Sequence, residues 1–509
     1  MDTKLKNWRR DEVIKQLQSQ KDFDVVVIGG GATGLGVAVD AASRGLSVLV
    51  LESQDFCAGT SSRSTKLIHG GVRHLGNPLQ WPRIRESLFE RRLLLQNAPQ
   101  TVRAQTFIVP CYSYLKAACI GLGLGLYNLM SSGGRGLHGV AAIGRVGAMG
   151  QLPGIVRKGL KAAFAYSDAQ FDDAGLGIAL LRTAVSYGAL ALNYAPVVDM
   201  KTDGRRITSV MVEDKIGGNR FEVSAKAIFN CTGVWVDTIR RLVDVEVSPL
   251  VRVARGTHIV VDRSFLPTGN AMVAPRRRGG RELFCIPWQG RLVIGTTEIE
   301  QGQAPFDPQP TGDEIDYLIA RANSFLTRQI RREDVKASFA GLRPLFEGRR
   351  AGLRKGSTAN MTRSYAVVPE FGNMLTIAGG NWTLYRAMAE LGLRTAQQMR
   401  LVPRSGCMTR SLPLIEQGRI DQESLQRDLL ENGVPQTAAG IAALTRFITL
   451  MVNTTGAITA QDILYRRLRI GELDAAVADE LVPLVTSIIE GLMRRPTAGR
   501  RRRSSRKAE

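Results

Sequence analysis

Three glycines spaced Gly29-x-Gly31-x-x-Gly34, with an acid 23 residues after the first at Glu52, are the residues here whose types and spacing imply a definite chemistry. Glycine has no Cβ, so backbone N–H groups can approach a diphosphate closely, and a helix opening at the same place adds its positive end. A carboxylate closing the next strand accepts hydrogen bonds from ribose hydroxyls. The pattern implies a dinucleotide site, provided a strand precedes the glycines and a helix follows them.

Those elements are present. Residues 25–28 are an unbroken apolar run, as in a parallel strand buried on both faces. Residues 29–34 form the turn, 35–44 a helix stopped by Gly45, and 47–51 the second strand. Two later turns point to FAD rather than a nicotinamide. Residues 227–231 read as a strand ending in Thr232-Gly233, and Ile377-Ala-Gly379-Gly380-Asn381 as a strand entering a helix. In flavin enzymes such a helix aims its N-terminus at the pyrimidine ring, where partial positive charge favours the reduced anion. Elsewhere, residues 83–97 predict an amphipathic helix with Ile84, Leu88 and Leu95 on one stripe. Residues 190–300 read as short strands, including 207–212 and 258–262. A helix is expected at 313–325, and a helical region from about 415.

A chain of 509 residues is too long for one core and suits two or three domains. Its 44% hydrophobic and 22% charged residues describe a globular protein, and 53 glycines imply many tight turns. Cys57, Cys111, Cys119, Cys231, Cys285 and Cys407 are scattered, which excludes a disulfide framework and a cysteine-rich zinc site; no metal site is expected. The net charge is +22, of which +7 sits in residues 494–509, a basic tail expected to be disordered. Such charge suits an anionic membrane face, nucleic acid or a phosphorylated substrate, and cannot choose among them. The first 22 residues are polar, with no secretory core.

The run Gly59-Thr-Ser-Ser-Arg-Ser-Thr-Lys-Leu-Ile-His-Gly-Gly-Val-Arg73 resembles the signature of FAD-dependent glycerol-3-phosphate dehydrogenases. The resemblance continues through Gly256-Thr-His258, Ile286-Pro-Trp288, Gly295-Thr-Thr-Glu298, Gly341-Leu-Arg343, Thr362-Arg363, Gly379-Gly-Asn-Trp-Thr383-x-Tyr385-Arg386 and Asp462-Ile-Leu-Tyr-Arg466-Arg467. It implies an α/β FAD-binding Rossmann-like domain with an antiparallel-sheet substrate domain and a C-terminal all-α cap. The expected boundaries are a polar N-terminal helix within 1–22, interleaved FAD and substrate domains over 23–400, and helices over 401–493. The substrate part would span roughly 80–165 and 240–345.

The implied activity is oxidation of sn-glycerol 3-phosphate to dihydroxyacetone phosphate, a hydride passing to the flavin and electrons on to a membrane quinone. By motif, His258 handles the proton, Arg73, Arg343 and Arg363 bind the phosphate, and His69 sets its loop against the flavin. Besides Gly29, Gly31, Gly34 and Glu52, the implied flavin contacts are Thr60, Ser61, Ser62, Thr65, Lys66, Leu67, His69, Thr232, Gly233, Gly380, Trp382 and Thr383. Two positions depart from the family pattern: His74 replaces a tyrosine, and Asn381 replaces a lysine that would carry a full charge toward substrate and flavin. These two also join the implied substrate pocket. They leave open compensation by a neighbouring group, another polyol phosphate as substrate, or a weakened enzyme.

Residues 112–130 carry Leu115, Cys119, Leu122, Leu126 and Leu129 on one helical stripe. A core helix and an in-plane membrane helix both fit; the second suits a quinone-linked enzyme on the inner, cytoplasmic face of a membrane. A homodimer is among the assemblies left open. Rival readings are oxygen as acceptor, and an FAD-dependent nucleic-acid-modifying or non-catalytic flavoprotein. The last two use the charge but leave the phosphate-site arginines unexplained, so no specific nucleic acid is expected.

Overall fold

Strand Asp22–Ile28 is apolar and buried over residues 25–28 because there it lies inside a sheet, paired in parallel with Val48–Leu51 on one side and Arg220–Asn230 on the other. The computed structural model describes residues 9–72, 75–131, 137–204, 206–275, 282–347, 365–416 and 422–494. Leu190–Leu192 and Met374–Gly379 extend the parallel ladder outward, and Tyr365–Glu370 closes one edge antiparallel. Helices Ala32–Ser43, Asp173–Ser186 and Tyr385–Gln398 join the same apolar core. Chain order reverses between Asp22–Ile28 and Arg220–Asn230, so the carboxyl ends of those strands form the crevice where doubly wound sheets take ligands.

The second sheet runs Ile299–Gln301, Val251–Asp262, Arg291–Gly295, Leu283–Trp288, Ala271–Ala274, Val102–Cys111, Ala162–Phe171, Leu67–Ile68, with Val335–Phe346 also paired to Val251–Asp262. It begins earlier in the chain than the expected 80–165 segment, at Leu67. It is also mixed rather than purely antiparallel, because Ala271–Ala274 runs parallel to Val102–Cys111. Helix Gly312–Asn323 covers one face, held at its start by a capping box between Thr311 and Glu314. The helical residues from Gln422 onward form their own core around Phe447, Ile448, Met451, Leu481 and Val485.

Two buried ion-pair sets weld that C-terminal unit to the rest. Arg467 grips both oxygens of Asp55 at 2.7 and 2.9 Å, with Arg466 on the same carboxylate. Arg469 and Glu472 meet Lys66 and Asp173. The N-terminal helix Arg10–Ser19 buries Val13 and Leu17, and Arg10 pairs with Asp214.

The core reading of residues 112–130 does not hold. Helix Tyr114–Met130 buries Ala117, Leu124 and Tyr127, whereas Leu115, Leu122 and Leu129 are each at least 80% exposed. No described helix is long and apolar enough to cross a membrane.

Candidate active site

The turn after Asp22–Ile28 is built to be empty of side chains. Gly29 has φ +106°, and a Cβ there would lie 2.7 Å from the Cys231 carbonyl oxygen. A Cβ on Gly34 would stand 1.9 Å from the Gly29 carbonyl oxygen, so the third glycine lets the helix pack on the strand. The Glu52 carboxylate accepts from the Gly30 N–H at 2.7 Å and the Gln54 N–H at 2.9 Å, and burial pushes its pKa up. Ser61 accepts the Ala32 N–H at 2.9 Å, fixing the next loop against the first helical turn. A cavity of about 390 Å³ runs from this turn to His258 and Arg343.

At the far end His258 projects from Val251–Asp262, opposite Gly295 and Phe339 in the neighbouring strands. Its imidazole stacks on the Phe339 ring (centroids 4.9 Å, planes 15° apart), and Nε2 lies 3.0 Å from the Thr65 hydroxyl. Nδ1 has no hydrogen-bond partner among the described residues. A Cβ at residue 295 would sit 2.1 Å from the ring, so glycine is needed beside it. Burial, reinforced by the charges of Arg343 and Lys66, holds the imidazolium pKa well below the ordinary histidine range. The Arg343 guanidinium lies flat over Gly256, where a Cβ would come within 2.2 Å of it. It donates to the Thr297 carbonyl at 3.1 Å and the Thr296 hydroxyl at 2.8 Å.

Two further turns close the cavity. Asn230 ties down the Thr232 hydroxyl at 2.8 Å, and Gly233 follows with φ +64°. Gly379 and Gly380, at φ +81° and +83°, lead to Asn381, whose side chain accepts the Leu384 N–H at 3.2 Å and caps the turn before helix Tyr385–Gln398. Trp382 donates its indole N–H to the Ser61 carbonyl at 2.8 Å. An open glycine turn with a buried acid at one end, and a second glycine turn opening a helix, suit a long dinucleotide.

Comparison with known proteins agrees. Residues 24–367 match the FAD dependent oxidoreductase family. A probable mitochondrial glycerol-3-phosphate dehydrogenase of Dictyostelium discoideum is 31% identical over 93% of this chain and 81% of its own length. The chain belongs to the FAD-dependent glycerol-3-phosphate dehydrogenase family. Another mitochondrial member, from Arabidopsis thaliana, is 36% identical over 77% of this chain, which spans 64% of that relative's length. The crystal structure of the Bacillus halodurans glycerol-3-phosphate dehydrogenase complexed with FAD superposes with a TM-score of 0.73 at 25% identity, covering 95% of this chain and 93% of that one. FAD is the cofactor of this dehydrogenase-family chain.

Of the motif residues, Gly29, Gly31, Glu52, Thr60, Ser61, Thr65, Leu67, His69, Thr232, Gly233, His258, Arg343, Gly380, Asn381, Trp382 and Thr383 line the one cavity. Gly34 acts in packing behind it. The Ser62 and Lys66 side chains do not reach the cavity. Ser62 is buried, its carbonyl accepting from Lys66, and the Lys66 ammonium is enclosed by Asp173 and Glu472. Arg73, His74 and Arg363 lie outside the described residues. Among the lining residues that sequence reasoning did not single out is Arg63, which pairs with Asp307 at 2.8 Å. One arginine in so basic a chain carries no signal by type alone.

Proposed function

We propose that the protein oxidises sn-glycerol 3-phosphate to dihydroxyacetone phosphate and passes the electrons to a quinone at a membrane surface. The observation that carries this reading is the single cavity with a dinucleotide cradle at one end and a buried imidazole and a fixed guanidinium at the other. The cradle residues would hold FAD, which supplies the acceptor for the hydride leaving C2. His258 takes the C2 hydroxyl proton; buried and uncharged at neutral pH, it is ready to accept, and Phe339 and Thr65 fix the ring plane. Arg343 offers the phosphate a planar fork, held in orientation by Thr296 and Thr297. Anchoring the phosphate there holds the carbinol still against the imidazole.

A base must be unprotonated to act, and a lowered pKa moves its titration to lower pH. The limiting rate of flavin reduction at saturating glycerol 3-phosphate should therefore stay flat through about pH 6.5, the ordinary histidine value, and fall only well below it. A fall centred on the ordinary histidine value would remove His258 from this role.

Two features support the membrane and quinone part. The helix of the exposed Leu115, Leu122 and Leu129 stripe also carries exposed Lys116, and exposed Lys161 lies over its exposed Tyr114 ring. Beneath that helix a second cavity of about 410 Å³, walled by Phe107, Val109, Ile120, Leu124 and Phe284, shares Thr65, Leu67 and His69 with the first. Replacing Leu122 and Leu129 by glutamate is expected to abolish co-sedimentation with anionic vesicles, since each leucine gives up about 1.5–3 kcal/mol of burial. Flavin reduction in solution should be unchanged. Sedimentation equal to wild type would sink the membrane assignment.

Asn381 favours a second reading, the same chemistry on another polyol phosphate. An amide that caps a helix turn supplies no charge to a bound phosphate. Faster flavin reduction by a longer polyol phosphate than by glycerol 3-phosphate would select it.

A further inference from the structure

We infer that Lys66 is a positioning residue for His258, and that the buried cluster of Lys66, Asp173, Arg469 and Glu472 makes the C-terminal segment part of the active site. This deepens the proposed dehydrogenase chemistry and rests on it.

A fully buried ammonium is unstable unless every donor is matched. Lys66 Nζ donates to the Ser62 carbonyl at 2.6 Å and to both Asp173 oxygens at 2.9 and 3.0 Å, and lies 2.8 Å from Glu472. Arg469, also fully buried, pairs with the same Asp173 at 2.7 Å and with Glu472 at 2.8 Å. Two cations and two carboxylates are thus drawn from three separate parts of the chain, and the proposed chemistry uses none of them. Buried ion pairs are seldom the most stable way to fill space; their better-attested use is to fix one arrangement.

What is fixed here is the imidazole. Lys66 has φ +61°, a conformation that residues with a Cβ resist, and Arg469 has φ +61° as well. With residue 66 held so, its side chain enters the cluster while the adjoining Thr65 hydroxyl stands 3.0 Å from His258 Nε2. A second link runs through an aromatic ring. The ammonium lies 5.0 Å from the Phe339 centroid, and that ring stacks on the imidazole at 4.9 Å. Trp288 packs the other side of the cluster, 5.1 Å from the ammonium and 5.3 Å from the Arg469 guanidinium. One buried charge therefore braces the histidine through a hydroxyl and through a ring, and Glu472 and Arg469 brace that charge.

The test uses the full-length FAD-loaded protein, with flavin content checked for each variant. Wild-type flavin reduction is measured first across glycerol 3-phosphate and other polyol phosphates. Failure with glycerol 3-phosphate alone strikes at the substrate assignment, and the comparison then proceeds with the compound that works. Thr65→Val should slow the limiting rate about tenfold, Thr65→Ser should restore it to within about threefold, and Lys66→Met should match the valine variant, with half-saturating substrate unchanged. Because the hydroxyl link is common to both changes and only the ring link belongs to Lys66 alone, T65V/K66M should be about two- to threefold slower than T65V, well short of the product of the single losses. Where K66M does not fold, E472Q, which leaves Asp173 on the lysine, takes its place with a loss of about threefold, again absorbed by T65V. Histidine ¹⁵N spectra give a readout independent of turnover. The wild-type His258 ring should show one neutral tautomer, and T65V and K66M (or E472Q) a mixture. Multiplicative rate losses, or variant spectra identical to wild type, overturn the inference.

Discussion

Arg343→Ala is expected to lower kcat/KM for glycerol 3-phosphate by about two to three orders of magnitude while the flavin stays bound. The guanidinium is only 14% exposed and is held flat by Thr296, Thr297, the Glu298 carboxylate at 3.5 Å and the bare backbone of Gly256, so its orientation is set before substrate arrives. A bound phosphate would meet a rigid pair of donors in a partly dry site, where charge-assisted bonds are strongest. Arg343→Lys should recover little, because a single ammonium cannot reproduce the planar fork over Gly256. Unphosphorylated glycerol, already lacking the anion, should react equally slowly with wild type and variant. Steady-state rates with both compounds check this; a mutation that slows both alike would place Arg343 in folding rather than recognition.

Asp55→Ala should cost about 3–5 kcal/mol of stability, the largest loss expected from one residue outside the cavity. Burial raises this carboxyl's pKa, but Arg467 and Arg466 outweigh burial and hold it below the usual carboxylate range. Removing it strips the buried Arg467 of the carboxylate it grips and leaves Arg466 to Asp462. The sign of the pH effect follows from the lowered pKa. The contribution is present above the unfolded carboxylate pKa and is lost as pH falls through the folded one. Urea midpoints at neutral and acid pH are the check: wild type should weaken toward acid, and the alanine variant should be weaker at neutral pH and show less further loss. A midpoint unchanged at neutral pH would mean that the Asp55 ion pairs contribute nothing to holding the C-terminal helices.

The flavin end of the site was legible because its chemistry is backbone chemistry. Positions where a Cβ would meet backbone must be glycine, so Gly29 and Gly34 announce the turn, and the apolar run at 25–28 announces a parallel strand covered on both faces. Side-chain direction was less legible. Lys66 sits in a motif beside residues that line the cavity, yet its left-handed backbone and two carboxylates distant in sequence turn it inward. Helix Tyr114–Met130 shows the limit of periodicity: an apolar stripe of Leu115, Leu122 and Leu129 looks the same whether a protein core or another medium covers it. Only the packing of Ala117, Leu124 and Tyr127 on the other side decides which face is left outside. Asn381 reads in sequence as a missing charge; in the fold its amide occupies the start of a helical turn, a role for which lysine has no acceptor. The parallel pairing of Ala271–Ala274 with Val102–Cys111 joins segments more than 150 residues apart, a pairing that local pattern does not encode.

The central claim is that one cavity binds a polyol phosphate through Arg343 and delivers its C2 hydride to the flavin while His258 takes the proton. Anaerobic mixing of the FAD-loaded protein with glycerol 3-phosphate, with its C2-deuterated form and with glycerol, followed at the oxidised-flavin absorbance, tests it most directly. Bleaching in a single turnover is expected with the phosphate, several-fold slower bleaching with the deuterated compound, and none with glycerol over the same interval. Flavin that stays oxidised with every polyol phosphate offered, or that bleaches as fast with glycerol as with its phosphate, would contradict it.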